Sequence, residues 1–418
     1  MPEPRSRREF LALGGGAALA AVLAACGSNS GRGGGNSLTQ WYHQYGEPGV
    51  QQAVKRYAAG YKKADVEVVW TTGDYDRKAA AALLKDGGPD VLEFGNGPTI
   101  DQIRGKQVVG LTDLLGSAKS DFNQQLLDRM SYEGTLYGIP QVIDTQFLVY
   151  RKSLLAKAGL QPPTTVDELI EAAKALTTKD RKGLFVGNDG GVTVLAGPAL
   201  WSAGLDYLTD DATIGFDDPA AAQSLAKLRT LFTSDSLLLG APADWSDPSA
   251  LVQDLTAMQW TGLWNVPALQ KKFGDDLGIA AYPKLSDSVG APSVPIGAYG
   301  SAVNAKSPRV EAAKEFVKYL WVDNTKDQLD FAQSYGFHIP ARNSLVPEAK
   351  GLAVEPGKTA AALVKDSGKA QTPLLWTPLS QTTYQDAFSR VIKDGANPSS
   401  ELKSVISKAQ SELKRIGK

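Results

Sequence analysis

The sequence predicts an α/β fold organised as two lobes, and three observations carry that prediction. Short apolar runs alternate with helical-period segments in a βαβ rhythm. The stretch from Leu38 to Lys418 is far longer than one typical domain. No long Gly/Ser/Pro stretch or charge block divides it, so the lobes are expected to be built from interleaved segments.

Leu38 to Tyr42 reads as the first strand, Val50 to Lys62 as a helix and Val66 to Trp70 as the second strand. Asp76 to Leu84 is helical in pattern, and Pro89 to Phe94 is a short buried strand ending at Gly95-Asn96-Gly97. In such folds ligands bind beyond the carboxyl ends of the strands, which points to the segments after Trp41 and Phe94. Further on, Thr165 with Glu168 forms a capping box opening a helix with Val166, Leu169, Ile170, Ala173 and Leu176 on one face. Ser307-Pro308 is expected to start another, with Val310, Ala313, Phe316, Val317 and Leu320 as its apolar stripe. Both helices are scaffold.

The start of the chain is a different kind of segment. Arg7-Arg8 precedes Phe10-Leu11, an apolar Ala/Gly-rich stretch follows, and Leu23-Ala24-Ala25 leads into Cys26, the only cysteine. A charged start, a short apolar middle and small residues before a cut read as a removable export signal. The apolar run of about fifteen residues falls short of the roughly 20 that span a bilayer, which makes a permanent span the weaker reading. The paired arginines resemble a twin-arginine signal, and the ending resembles a lipobox that lipidates Cys26. Acyl chains there would tether the protein to the outer face of the membrane. Gly27 to Ser37, rich in Gly, Ser and Asn, reads as a flexible leash.

With 44 basic and 45 acidic residues and no basic stripe, nucleic acid is not an expected partner. Lipidation of Cys26 leaves no disulfide, so an ordinary apolar core must stabilise the fold, in keeping with 43% hydrophobic residues. The sequence has no metal-ligand spacing, Gly-x-Ser-x-Gly elbow or phosphate loop. Neither a cofactor nor a metal is expected. A surface glycosidase would need two suitably spaced carboxylates, but pairs such as Asp210-Asp211 and Asp275-Asp276 read as turns and caps.

Gly134 to Pro140, continued by Thr145 to Lys152 and Ala158-Gly159-Leu160, resembles the signature region of family 1 extracellular solute-binding proteins, the sugar-capturing receptors of ABC importers. Pro89-Asp90-Val91, Met258 to Trp264, Gly297 to Gly300 and Gly336 to Pro340 resemble further blocks of that family, in its order. The resemblance covers Leu38 to Lys418. It implies a periplasmic-binding-protein-like clamp, similar to maltose-binding protein, with a three-strand hinge near 143–146, 294–298 and 340–344. The implied division is signal peptide 1–25, lipidated Cys26 and linker to 37, one lobe of 38–143 plus 299–340, and a second of 144–298 plus 341–418. The expected partners are a carbohydrate, with a di- or oligosaccharide favoured, and the membrane permease. The expected state is a monomer touching the membrane only through Cys26.

Eight tryptophans and fourteen tyrosines suit a sugar ligand, because pyranose faces stack on aromatic rings while hydroxyls seek polar side chains. Trp41, His43, Tyr45 and Glu47 follow the first strand, where the resemblance implies ligand contacts; Trp41 as core is the alternative. Asn96 resembles a sugar-bonding position or forms a left-handed turn. Asp144 resembles a polar contact, with a cap or hinge bond as its competitor. Trp264 stands where the family stacks an aromatic on sugar. Trp201, Trp260, Tyr299, Trp376 and Tyr384 are weaker stacking candidates, Gly300 belongs to the Tyr299 block, and His338 is either a cleft residue or a structural histidine. The same fold binding a polyamine, ferric iron or a glycerophosphodiester remains open. Tyr42 and His43, adjacent on a strand, point to opposite faces and do not suit one ion.

Overall fold

A computed structural model describes residues 37–335 and 337–418. The expected export signal, lipidation site and most of the linker lie outside the described residues. Among the described residues, no helix is long and apolar enough to cross a membrane.

The strands, in chain order, are β1 (Ser37–His43), β2 (Asp65–Thr71), β3 (Val91–Gly95), β4 (Ser131–Tyr132), β5 (Thr135–Leu136), β6 (Ile139–Pro140), β7 (Val142–Arg151), β8 (Lys182–Phe185), β9 (Thr256–Gly262), β10 (Leu277–Ala280), β11 (Val294–Gly297), β12 (Tyr299–Val303), β13 (Ile339–Pro340) and β14 (Gly368–Ala370). Two sheets form the lobes. The first has the order β2-β1-β3-β12-β6, with β1 parallel to β2 and β3 and with β12 antiparallel to its neighbours. The second has the order β14-β11-β7-β9-β8, and the long β7 also pairs with β10 and β13. Their connectivity is interleaved, because β12 returns to the first sheet after most of the second has been laid down.

Local sequence chemistry explains the elements. β1 alternates partly and fully buried residues, the period-2 signature of a strand with two unlike faces. The helix Tyr75–Leu83 starts at Asp74, whose side chain accepts from the Arg77 amide. The helix Val166–Leu176 has both arms of the Thr165/Glu168 capping box and buries Val166, Leu169, Ile170, Ala173 and Leu176. Around Ser307 the structure departs from expectation. The helix runs Val310–Lys318, and the Ser307 hydroxyl donates to buried Asp90 at 2.5 Å while accepting from the Arg309 amide. Buried Asp90 also accepts from the Thr39 amide at 2.8 Å, so both of its oxygens are bonded, as a carboxylate in the core requires.

Three connections join the sheets. Gln141 separates β6 from β7, and its amide donates to the Tyr299 carbonyl. Ala298 separates β11 from β12, and β13 pairs through Ile339 and Pro340 with Ile143 and Val142 at the start of β7. Beside them β12 passes so close to the turn after β3 that a Cβ on Gly300 would lie 3.1 Å from the Gly97 Cα and 2.7 Å from Met130 Sδ. A side chain there would force Met130 aside and crowd the Gly97 backbone.

Candidate functional site

The site grows from the end of β1. The strand's pleat turns Tyr42 into one core and Trp41 and His43 toward the opposite face. There His43 meets Glu93, a β3 residue that is 1% exposed. One Glu93 oxygen accepts from the His43 amide at 2.7 Å and lies 2.5 Å from Nδ1, and the other accepts from the Tyr45 hydroxyl at 2.9 Å. The Tyr75 hydroxyl accepts from the Glu93 amide at 3.2 Å and donates to the Trp41 carbonyl. Glu93 was not among the sequence candidates. Its signal was a lone carboxylate inside an apolar strand run, which must be bonded to be buried at all.

That anchoring builds an aromatic wall. The rings of His43 and Tyr299 stack at 4.1 Å and 12°, and Tyr45 lies 3.8 Å from His43, backed by Trp70 and Phe331 at 5.8 Å each. In front is a cleft of about 380 Å³ lined by His43, Gln44, Gly73, Asp74, Tyr75, Asp76 and Tyr299. Burial, reinforced by the Glu93 charge, pushes the Tyr45 and Tyr299 hydroxyls well above the usual phenol range. Both stay neutral and keep their protons for donation. Burial also raises the Asp76 carboxyl, against the opposing pull of His43.

A second group sits at the hinge. His338 is 3% exposed, with Nδ1 2.5 Å from Asp144 Oδ1 and Nε2 facing Glu47 Oε1 at 3.6 Å, beyond hydrogen-bond reach. Burial alone would push its pKa down. The two carboxylates outweigh that and raise it to about 10, so the ring is a cation at neutral pH. Burial pushes Glu47 upward, but the His338 cation at 3.6 Å and a backbone hydrogen bond hold it below the usual range. Glu47, Asp144 and His338, predicted separately, are one constellation.

Asn96 adopts the left-handed conformation at φ 60°. Its Nδ2 donates to Gln371 Oε1 at 3.1 Å, and its Oδ1 accepts from the Ala298 amide at 3.3 Å. Trp264 stands on the second lobe just past β9, half-buried, with Nε1 donating to the Ser246 carbonyl at 3.1 Å. It packs edge-on against Trp245 at 5.8 Å, an aromatic the sequence reading passed over although it interrupts a polar loop. Gly262 makes room, since a Cβ there would lie 2.1 Å from the Trp264 ring. Trp41 keeps partial exposure while packing against the core cluster that includes Tyr75.

Four stacking candidates need correction. Trp201 (3% exposed), Trp260 (1%), Trp376 (4%) and Tyr384 (0%) are core residues of the second lobe. Trp260 Nε1 is taken by Gln146, Trp376 by Gln381, Trp201 by Asp206 and the Tyr384 hydroxyl by the Ala196 carbonyl. Rings of Tyr207, Phe216 and Tyr282 cover them, leaving no face for a ligand. Gly300 is a packing position beneath the wall rather than a contact. Among the described residues, no His/Cys/Asp/Glu group has metal-holding geometry.

The geometry has relatives. The diacetylchitobiose binding protein DasA of Streptomyces coelicolor is 27% identical over 405 residues, covering 88% of this chain and 89% of that protein. A galactooligosaccharide-binding protein of Bacillus subtilis is 26% identical over 431 residues, covering 95% and 96%. Among solved structures, the GacH receptor of Streptomyces glaucescens, studied unliganded and with acarbose, superposes with a TM-score of 0.75 at 25% identity, over 90% of this chain and 98% of that one. Residues 44–321 match the sequence model of one family. With two thirds of its length inside that match, the chain belongs to the bacterial extracellular solute-binding proteins.

Proposed function

We propose that the protein captures a carbohydrate, a di- or oligosaccharide, between its two lobes outside the cytoplasm and delivers it to the permease of an ABC importer. The observation that carries this reading is the His43-Tyr299 stack, flanked by neutral tyrosine hydroxyls and facing a cleft of about 380 Å³. A pyranose matches such a wall, with its apolar face on the rings and its hydroxyls on Asp76, Glu47 and Asp144. Relatives named for diacetylchitobiose and galactooligosaccharides support the same class. They are binding proteins by name, and this chain is a receptor rather than an enzyme. Trp41, His43, Tyr45, Glu47, Asn96, Asp144, Trp264, Tyr299 and His338 form or brace the proposed site. Closure about the three connections brings the Trp264-Trp245 pair toward the His43 wall. The lobes divide as 38–143 with 299–340 and 144–298 with 341–418, a proposal supported by the strand pairing. A lipid on Cys26 anchors the monomer after removal of residues 1–25.

A thermal-shift panel of mono-, di- and oligosaccharides, glycerophosphodiesters, polyamines and ferric iron tests the reading, because a ligand of the folded state raises Tm by mass action. A shift with one sugar group recovered unhydrolysed supports it. Silence from all sugars with a response to a polyamine overturns the ligand class, and hydrolysed sugar overturns the receptor role.

A further inference from the structure

The helix Pro398–Arg415 belongs to the second lobe, where it buries Leu402, Val405, Ile406, Ala409 and Leu413. A Schellman turn finishes it. The Gly417 amide donates to the Lys414 carbonyl and the Lys418 amide to the Leu413 carbonyl, with Gly417 at φ 74°. That turn sets Arg415 to Lys418 against the first lobe, at the short helix Ile100–Arg104 that follows the β3 loop.

Two arginines tie the lobes there, one from each side. The Arg415 guanidinium donates through both Nη atoms to the two oxygens of Asp101, at 2.9 and 3.0 Å, while its Nε is held by Glu412 of its own helix. In the other direction Arg104 donates to the Ile416 carbonyl. Ile416 is 2% exposed and joins the apolar cluster that holds Ile100 and Ile103. Lys418 Nζ stands 5.9 Å from the centre of the Tyr132 ring, a cation over an aromatic face. The contact is thus a junction of the lobes separate from the three chain crossings.

Its geometry is particular to one orientation of the lobes. A fork of two parallel N–H···O bonds tolerates little rotation. The orientation in which it is formed is an open one. First-lobe residues line the cleft, while Trp264 and Trp245 of the second lobe contact each other and the Ser246 carbonyl. Closing the second lobe over the His43 wall rotates one lobe against the other. That rotation pulls the fork out of register.

We propose that Arg415 to Lys418 form a clasp that holds the receptor open, and that ligand-driven closure displaces Asp101 from Arg415. The apparent affinity for the ligand is then lowered by the fraction of receptor that the clasp keeps open. The inference rests on the lobe division and on closure about the hinge, whichever solute fills the cleft.

The test uses the full-length protein, Arg415→Gln, Asp101→Arg and the exchange variant Asp101→Arg/Arg415→Asp, each shown to be folded by its melting curve. Small-angle X-ray scattering reads the separation of the lobes with no ligand added. Asp101→Arg sets like charges against Arg415 and Arg104 and should be more compact than the native protein, and the exchange variant should return the native radius of gyration. Calorimetric titration with diacetylchitobiose, galactobiose and maltotriose reads affinity. Any of these that binds should bind Arg415→Gln about threefold or more tighter than the native protein, the scale of one surface ion pair. A native-like scattering profile for Asp101→Arg, or unchanged or weaker sugar binding by Arg415→Gln, would overturn the clasp. If no sugar binds any of the proteins while Asp101→Arg is still the more compact, the clasp stands and the carbohydrate reading fails.

Discussion

His338 and Asp144 meet at 2.5 Å across the hinge, joining the segment that leads into β13 to the start of β7. The histidine is buried, its carboxylate partner half-buried, and Glu47 faces the ring on its other side. Its titration gives the first prediction. The imidazole's folded pKa, about 10, lies above the 6.5 of a free histidine side chain. The stabilisation is therefore fully present below pH 6.5 and lost as pH rises through about 10. Melting curves across that interval should show the native protein losing more stability than His338→Gln. Parallel curves would mean that the histidine is not held as a cation.

The aromatic wall yields the second. Tyr299→Ala removes the ring stacked on His43 and should weaken sugar binding by about tenfold, the scale of one aromatic contact. Tyr299→Phe preserves the ring and should bind within about threefold of native by the same scale. Calorimetric affinities compare the two. Equal losses would assign the effect to the hydroxyl.

Trp264 tests the opposite lobe. Half-buried and edge-on to Trp245, it should lose ligand affinity by about tenfold or more as Trp264→Ala, with Tm nearly unchanged. Native-like affinity would remove Trp264 from the site.

The buried tryptophans should behave in the reverse way. Trp260→Ala leaves a large cavity and an unpaired Gln146, and should destabilise the protein by about 3–5 kcal/mol. Sugar affinity measured on the folded fraction should stay near native. Chemical denaturation together with titration separates the two effects, and a loss of affinity without loss of stability would return Trp260 to the cleft.

Glu93 carries the last prediction. Glu93→Gln keeps the shape but removes the charge that anchors His43 and Tyr45, and should cost about 1–3 kcal/mol of stability as buried donors lose their acceptor. Affinity should fall with it, because the wall loses its fixed geometry. Unchanged denaturation and binding would make Glu93 a bystander.

The elements of the fold were legible because their causes are local. Period-2 burial in β1, the Thr165 capping box and the apolar stripe of Val166–Leu176 each depend on residues within a few positions of one another. The interleaving followed from length and the lack of a linker. The helix expected from Ser307 begins at Val310, and the Ser307 hydroxyl, while accepting from the Arg309 amide, also donates to Asp90, a partner distant in sequence.

By itself the sequence determined the α/β alternation, the two-lobe length, the family resemblance and the cluster at Trp41 to Glu47. Tertiary structure alone decided which polar and aromatic residues face the cleft. Side-chain type cannot separate Trp264 from Trp260, four residues away in the chain, because burial is set by what packs from elsewhere. The same holds for charge. Glu93 is an anchor only because His43 arrives on β1 and Tyr45 just beyond it, and His338 is a cation only because Asp144 and Glu47 flank it. Electrostatic state is a property of surroundings, and surroundings are long-range.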